Sequence, residues 1–249
     1  ALARADVLGS VKIGEATHEI TRAFGPDRED TRGAESTLSD LVAEMYRSST
    51  ASPERGSAQI GVQNPGGVRD DLDEGTVTFG EAAAVLPFAN SLFTVDLTGA
   101  QFTTLLEQQW QRDAAGNVPT RKYLQLGLSK NVTYTFDDSL AEGSKITSVT
   151  VDGKALDPAA TYRVATNSFL AAGGDNFRVF ADGKNSKDTG LSDLDSWTDY
   201  IKAKSPVSPS FAKQAVSVSP LPGTLTAGGT TTFTLSSLDF SSRPTQDGA

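Results

Sequence analysis

From Thr37 onward the apolar residues Leu38, Leu41, Val42 and Met45 recur at three- and four-residue intervals, the stripe of an amphipathic helix. Two further helices announce themselves by their starts. Thr78 and Glu81 in "TFGEAAAVLPF", and Thr98 and Gln101 in "TGAQFTTLLEQQW", stand at capping-box spacing. The first of these must stop before Pro87, which delivers Phe88 to its end. The second carries Phe102, Leu105, Leu106 and Trp110 along one face, and Trp110 reads as a core aromatic. A last helix is predicted from Leu194, Trp197 and Ile201, ended by Pro206. Alternation at period two predicts strands around Val11 and Ile13, through "SLFTVDL" with Phe93, Val95 and Leu97 on one face, and through Val132, Tyr134 and Phe136. "KITSVTVDGKAL" reads as two extended pieces about an Asp152-Gly153 turn, and Tyr162 and Val164 mark a strand that leads into a loop containing Phe169. Helices and meandering strands in this order predict a mixed α+β domain with its functional loops at the sheet ends.

After about Phe211 the chain becomes rich in Ser, Thr, Gly and Pro, with Val216/Val218 and Phe233/Leu235 alternating. Residues 212–249 are either the start of a β-sandwich module or an ordered extension of the main domain. Residues 28–211 form the expected domain, and residues 1–27 its linker or beginning. The chain opens without Met, as a fragment of something longer would, and contains no run of 18 apolar residues.

Composition removes several chemistries. Cysteine is absent, and His18 is the sole histidine, so thiolate sites, histidine-rich metal centres and His-dependent triads are unavailable. The 22 basic and 31 acidic residues leave a net charge of −9, against nucleic acid as a partner. "DDLDEG" lacks the spacing of a calcium loop and reads as a solvated acidic turn. The stretch "NPGGVR" has two readings: a ligand-holding turn in which Gly66 and Gly67 expose a cradle of backbone amides beside Arg69, or a surface turn with Arg69 in a salt bridge.

Taken together, "RGAESTLSDL", "NPGGVR", "VLPFANSLFTVDLTG" and "NSFLAAGGDNF" occur in the order and spacing of the carboxy-terminal, substrate-binding domain of the 5'-nucleotidase and UDP-sugar hydrolase family, which the chain resembles from Arg28 to Pro206. The resemblance implies substrate contacts at Asn64, Gly66, Gly67 and Arg69. It implies an aromatic sandwich of Phe88 and Phe169 around a nucleobase, with Asn90 at a base edge and Gly174 and Asp175 at base or ribose hydroxyls. Arg28 and Arg32 resemble arginines that contact the substrate. Stacking on phenylalanine tolerates different bases, and arginine suits the sugar-phosphate.

The same resemblance implies a nucleotide or nucleoside ligand and a location outside the cytoplasm, periplasmic or attached to the cell wall. It also implies an amino-terminal metallophosphatase domain of the same parent chain that carries two divalent metal ions. The resemblance further implies that this chain rotates against that domain to deliver the phosphate. No catalytic residue, metal ligand or cofactor is assigned to the chain itself, which is expected to recognise without hydrolysing. A non-catalytic surface or adhesion module is the alternative, and a free-standing hydrolase using carboxylates is a third reading.

Overall fold

The computed structural model describes residues 8–27, 29–219 and 227–240. The elements named among the described residues are the helices α1 (Thr37–Ser49), α2 (Phe79–Val85), α3 (Gly99–Glu107), α4 (Ser168–Ala171) and α5 (Asp193–Lys204), with the strands β1 (Lys12–Ala16), β2 (Ile60–Gln63), β3 (Gly75–Thr78), β4 (Ser91–Thr98), β5 (Gly127–Leu128), β6 (Val132–Phe136), β7 (Ile146–Val151), β8 (Lys154–Ala155), β9 (Thr161–Asn167), β10 (Lys184–Ser192), β11 (Ala215–Ser219) and β12 (Thr234–Ser236).

A mixed sheet in the order β10-β4-β9-β2-β5 divides the molecule. Strands β2 and β9 run parallel, while β4 and β10 are antiparallel to their neighbours. On one face Leu38, Val42, Met45, Trp197 and Ile201 of α1 and α5 pack with Val85 of α2 and Leu92. On the other, Val95, Leu97 and Val164 meet Phe102, Leu105 and Leu106 of α3 and the inner face of a second sheet, β12-β11-β6-β7-β8. The fold is α+β, as its sequence pattern requires.

Local signals place the elements. Both capping boxes form: Thr78 and Thr98 accept from the amides of Glu81 and Gln101, whose side chains bind back to the cap amides. Ser36 caps α1 by accepting from the Ser39 amide at 3.0 Å, without a reciprocal bond. The β7–β8 hairpin turns on Asp152-Gly153, and Val132, Tyr134 and Phe136 all point inward.

Two expectations need correction, and two segments whose roles the sequence left open take definite places. Strand β4 does not present one apolar face: Leu92 and Thr94 are buried as well as Val95 and Leu97, because the strand is covered on both sides. Among residues 1–27, which the sequence left as linker or beginning of the domain, β1 pairs with β3, and Ile13 and Ile20 lie in the core. In the acidic turn Asp71 is buried and chelated by Arg22, whose Nε and Nη2 donate at 3.1 and 3.0 Å. In the tail, β11 runs parallel to β6 and extends the second sheet, the ordered-extension alternative, whereas residues 220–226 and 241–249 lie outside the description.

Candidate functional site

The strand directions bring three loops to one end of the central sheet. Parallel β2 and β9 both finish there, at Gln63 and Asn167, and β4, antiparallel to β9, begins there, with Leu92 opposite Asn167. The segments beyond those ends carry Asn64–Gly67, Phe169 and Phe88–Asn90. They surround a cavity of about 410 Å³ lined by Arg32, Asn64, Gly66, Gly67, Phe88, Asn90, Asn167, Phe169 and Asp175.

Phe88 and Phe169 are 57% and 46% exposed in a protein whose other large rings are mostly interior. Each is presented by a device of the backbone. Ala89 adopts φ +49° between Phe88 and Asn90, a left-handed conformation that costs energy for a residue with a side chain and turns both neighbours toward the cavity. Phe169 stands on the one-turn helix α4 rather than in an open loop, and the Asn167 side chain caps that helix by accepting from the Leu170 amide at 2.9 Å. Gly174 lies directly under the Phe169 ring: a Cβ there would come within 2.6 Å of ring carbons. Asp175 follows in the left-handed region, φ +51°.

A chain of side-chain hydrogen bonds ties these loops together. Asn167 Nδ2 donates to Asn64 Oδ1 at 3.0 Å and to Gln63 Oε1 at 3.1 Å, and Asn64 Nδ2 donates to Asp175 Oδ2 at 2.9 Å. Asn64 and Asn167 are buried, so the carboxylate of Asp175 is fixed from behind. On the opposite wall Asn90 Nδ2 donates to Asp193 Oδ2 at 3.1 Å. Asp193 is buried at the start of α5, and that burial pushes its carboxyl above the ordinary carboxylate range, opposed by the hydrogen bonds from Asn90 and the helix backbone.

The positive charge is local. Arg32 lines the cavity without an ion pair among the described residues. Its guanidinium is drawn below its ordinary pKa first by burial and then by the charges of Arg121 and Arg69, with Asp175 and Asp30 opposing. Arg69 is exposed and outside the cavity lining, yet close enough for its charge to act on Arg32. The glycine pair serves this arrangement differently from an amide cradle. Gly67 N–H is committed to Asn64 O at 3.0 Å, while a Cβ on Gly66 would meet Arg32 Nη1 at 2.8 Å, so glycine there leaves room for the guanidinium.

Of the residues singled out in the sequence, Arg32, Asn64, Gly66, Gly67, Phe88, Asn90, Phe169 and Asp175 share this cavity, with Gly174 beneath one ring. Arg69 stands apart from the lining, and Arg28 lies outside the described residues. Sequence reasoning passed over Asn167, whose place at the head of "NSFLAAGGD" signalled it, and Arg121 and Asp193, for which the sequence held no local signal. Among the described residues no group of three or more His, Cys, Asp or Glu side chains could hold a metal ion. None of their helices is long and apolar enough to cross a membrane.

Residues 12–182 match the family described as 5'-nucleotidase, C-terminal domain. The chain is 32% identical over 185 residues to a trifunctional nucleotide phosphoesterase of Bacillus subtilis, covering 72% of this chain and 12% of that protein. It is 32% identical over 199 residues to a cell wall protein of Listeria monocytogenes, covering 76% of this chain and 24% of the relative. The crystal structure of a 5'-nucleotidase precursor from Thermus thermophilus superposes with a TM-score of 0.71 at 32% identity, over 86% of this chain and 40% of that one. The chain thus spans less than half the length of these relatives. With the matched region covering the inner strands β4, β9 and β2 of the central sheet and every lining residue of the cavity, the chain belongs to the 5'-nucleotidase C-terminal domain family.

Proposed function

We propose that this chain is the nucleotide-recognition domain of a 5'-nucleotidase-type phosphohydrolase. Phe88 and Phe169 take a nucleobase between their faces, Asn90 meets its edge, and Asp175, set by Asn64, accepts from ribose hydroxyls. Arg32, supported by Arg69, holds the sugar-phosphate end through charge-assisted hydrogen bonds. The observation that supports this reading most is the coincidence, around one cavity, of two solvent-facing phenylalanine rings with a guanidinium that has no ion-pair partner among the described residues. Stacking contributes on the order of 1–3 kcal/mol per base face and offsets the cost of ordering the ligand. A net charge of −9 is compatible with an anionic ligand because the arginines meet it locally.

Hydrolysis belongs, in this proposal, to a metal-bearing domain of the parent protein. Two divalent ions would activate water and stabilise the phosphoryl oxygens. The described residues here do not fit such a centre, since no suitable ligand group exists among them, and the chain's own part is to bind and orient. An extracellular or wall-associated location completes the proposal, supported by the Listeria relative, itself a cell wall protein.

Calorimetric titration of the folded chain with AMP and adenosine tests recognition: both bind, AMP more tightly. Absence of binding at millimolar ligand would overturn the proposal. A phosphate-release assay with AMP and added Mn²⁺ or Zn²⁺ tests the division of labour, and turnover by this chain alone would refute it.

A further inference from the structure

Asn90 is held to Asp193 at two points. The Asp193 amide donates to Asn90 O at 2.8 Å, and Asn90 Nδ2 donates to Asp193 Oδ2 at 3.1 Å. The register makes this junction obligatory: Ser192, the last residue of β10, pairs with Ser91, so the residues flanking that pair meet. Asp193 Oδ2 accepts from the Asn90 amide, so that amide turns its NH₂ to Asp193 and its carbonyl away from it. Reversing it would oppose two oxygens beside an Asp193 that is only 1% exposed, where solvent gives little relief. Oδ1 of Asn90, which has no hydrogen-bond partner among the described residues, is therefore what remains for a ligand in the cavity that Asn90 lines with Phe88.

We infer that Asp193 is a specificity-determining positioning residue: by orienting the Asn90 amide it makes this wall of the cavity a hydrogen-bond acceptor, and so favours bases that carry an exocyclic amino group at that edge. The inference rests on the nucleoside-binding reading above and sharpens it. Stacking between two phenylalanines discriminates poorly among bases, whereas an oriented acceptor discriminates by one donor. A base without the amino group stacks equally well and leaves Oδ1 desolvated and unpaired.

The test uses adenosine and purine riboside, which share the ring system and sugar and differ in the amino group, titrated calorimetrically into the 249-residue chain. Adenosine is expected to bind about tenfold more tightly. In Asp193→Asn the neighbour can donate as well as accept, both Asn90 orientations become available, and the ratio falls toward one. A merely structural role for Asp193 would weaken both ligands by the same factor and keep the ratio. Asn90→Ala, at a half-buried position just before β4, supplies a second variant should Asp193→Asn fail to fold, and there too the preference should vanish. Equal affinities in the parent chain, or a tenfold ratio surviving in either folded variant, overturn the inference while leaving nucleoside binding intact. Failure of both ligands to bind the parent chain overturns nucleoside binding and this inference together.

Discussion

Two cavities among the described residues are furnished with similar residue types. One, of about 410 Å³, contains Phe88, Phe169, Arg32 and Asp175. The other, of about 350 Å³, contains Trp110, Tyr123, Phe136, Glu35, Asp138 and Lys213. In the second, the groups satisfy each other. Trp110 stacks edge-on against Tyr123 and Phe136 at 5.0 and 5.7 Å, its Nε1 donates to Asp138, and Tyr123 donates to Gln125. Glu35 accepts from the amides of Gln214 and Ala215 at 2.8 and 3.0 Å and pairs with Lys213 at 3.0 Å, anchoring β11 to the body of the domain. In the first cavity, Phe88 and Phe169 contact no other ring among the described residues, and Arg32 makes no ion pair among them. Aromatic and charged side chains in a hollow do not by themselves mark a ligand site. Unsatisfied faces and charges, held in place by satisfied neighbours, distinguish the two regions.

That contrast can be broken at several points. The largest effect is expected from Glu35→Ala, which strands two buried amides and the Lys213 ammonium. Chemical denaturation should show a loss of about 3–5 kcal/mol, with nucleoside affinity of the remaining folded protein unchanged. Altered affinity at preserved stability would reverse the roles of the two cavities. Phe88→Ala and Phe169→Ala should each lower adenosine affinity by about 1–3 kcal/mol, while thermal stability moves little because both rings are half in solvent. Substantial destabilisation with intact binding would return them to the core. Arg32→Ala should weaken AMP about tenfold and adenosine far less, and the difference should shrink at high salt. Equal losses for both ligands would remove the arginine from the phosphate end.

The smallest effect concerns acidity behind the second cavity. Burial, then the charge of Glu35, push the Asp40 carboxyl well above its ordinary range. A raised folded pKa means that the native state keeps a proton the unfolded chain has released. This group therefore favours folding increasingly as pH falls from Asp40's raised value toward about 4. Asp40→Asn should flatten that part of the stability profile, as measured by melting temperature between pH 7 and pH 4. An unchanged slope would assign the pH dependence elsewhere.

Much of the architecture was legible because it is encoded locally. The stripe from Leu38 to Met45, the two capping boxes and the alternation Val132-Tyr134-Phe136 each act within a few residues. Strand β10 was not legible: "KNSKDTGLS" carries almost no apolar pattern because it is the exposed edge of its sheet. The burial of both faces of β4 was hidden for a related reason, since which faces are covered depends on elements distant in the chain. At the site, motif order disclosed Phe88, Phe169, Asn64 and Asp175. Asp193 stayed invisible because it meets Asn90 across 103 residues, through a strand register that no local signal states.

The sequence by itself determined the helix starts, the turn residues, the absence of cysteine and histidine chemistry, and the motif set whose order marks a nucleotidase-like domain. These follow from short-range backbone preference and from which functional groups exist at all. Tertiary structure alone decided that β2, β4 and β9 bring their loops to one end of a sheet, that Arg32 stands there without an ion pair among the described residues while Lys213 has one, and that Asn90 faces Asp193. Each of those depends on which distant groups come within hydrogen-bonding or Coulombic reach, and only the packing of the whole chain sets that.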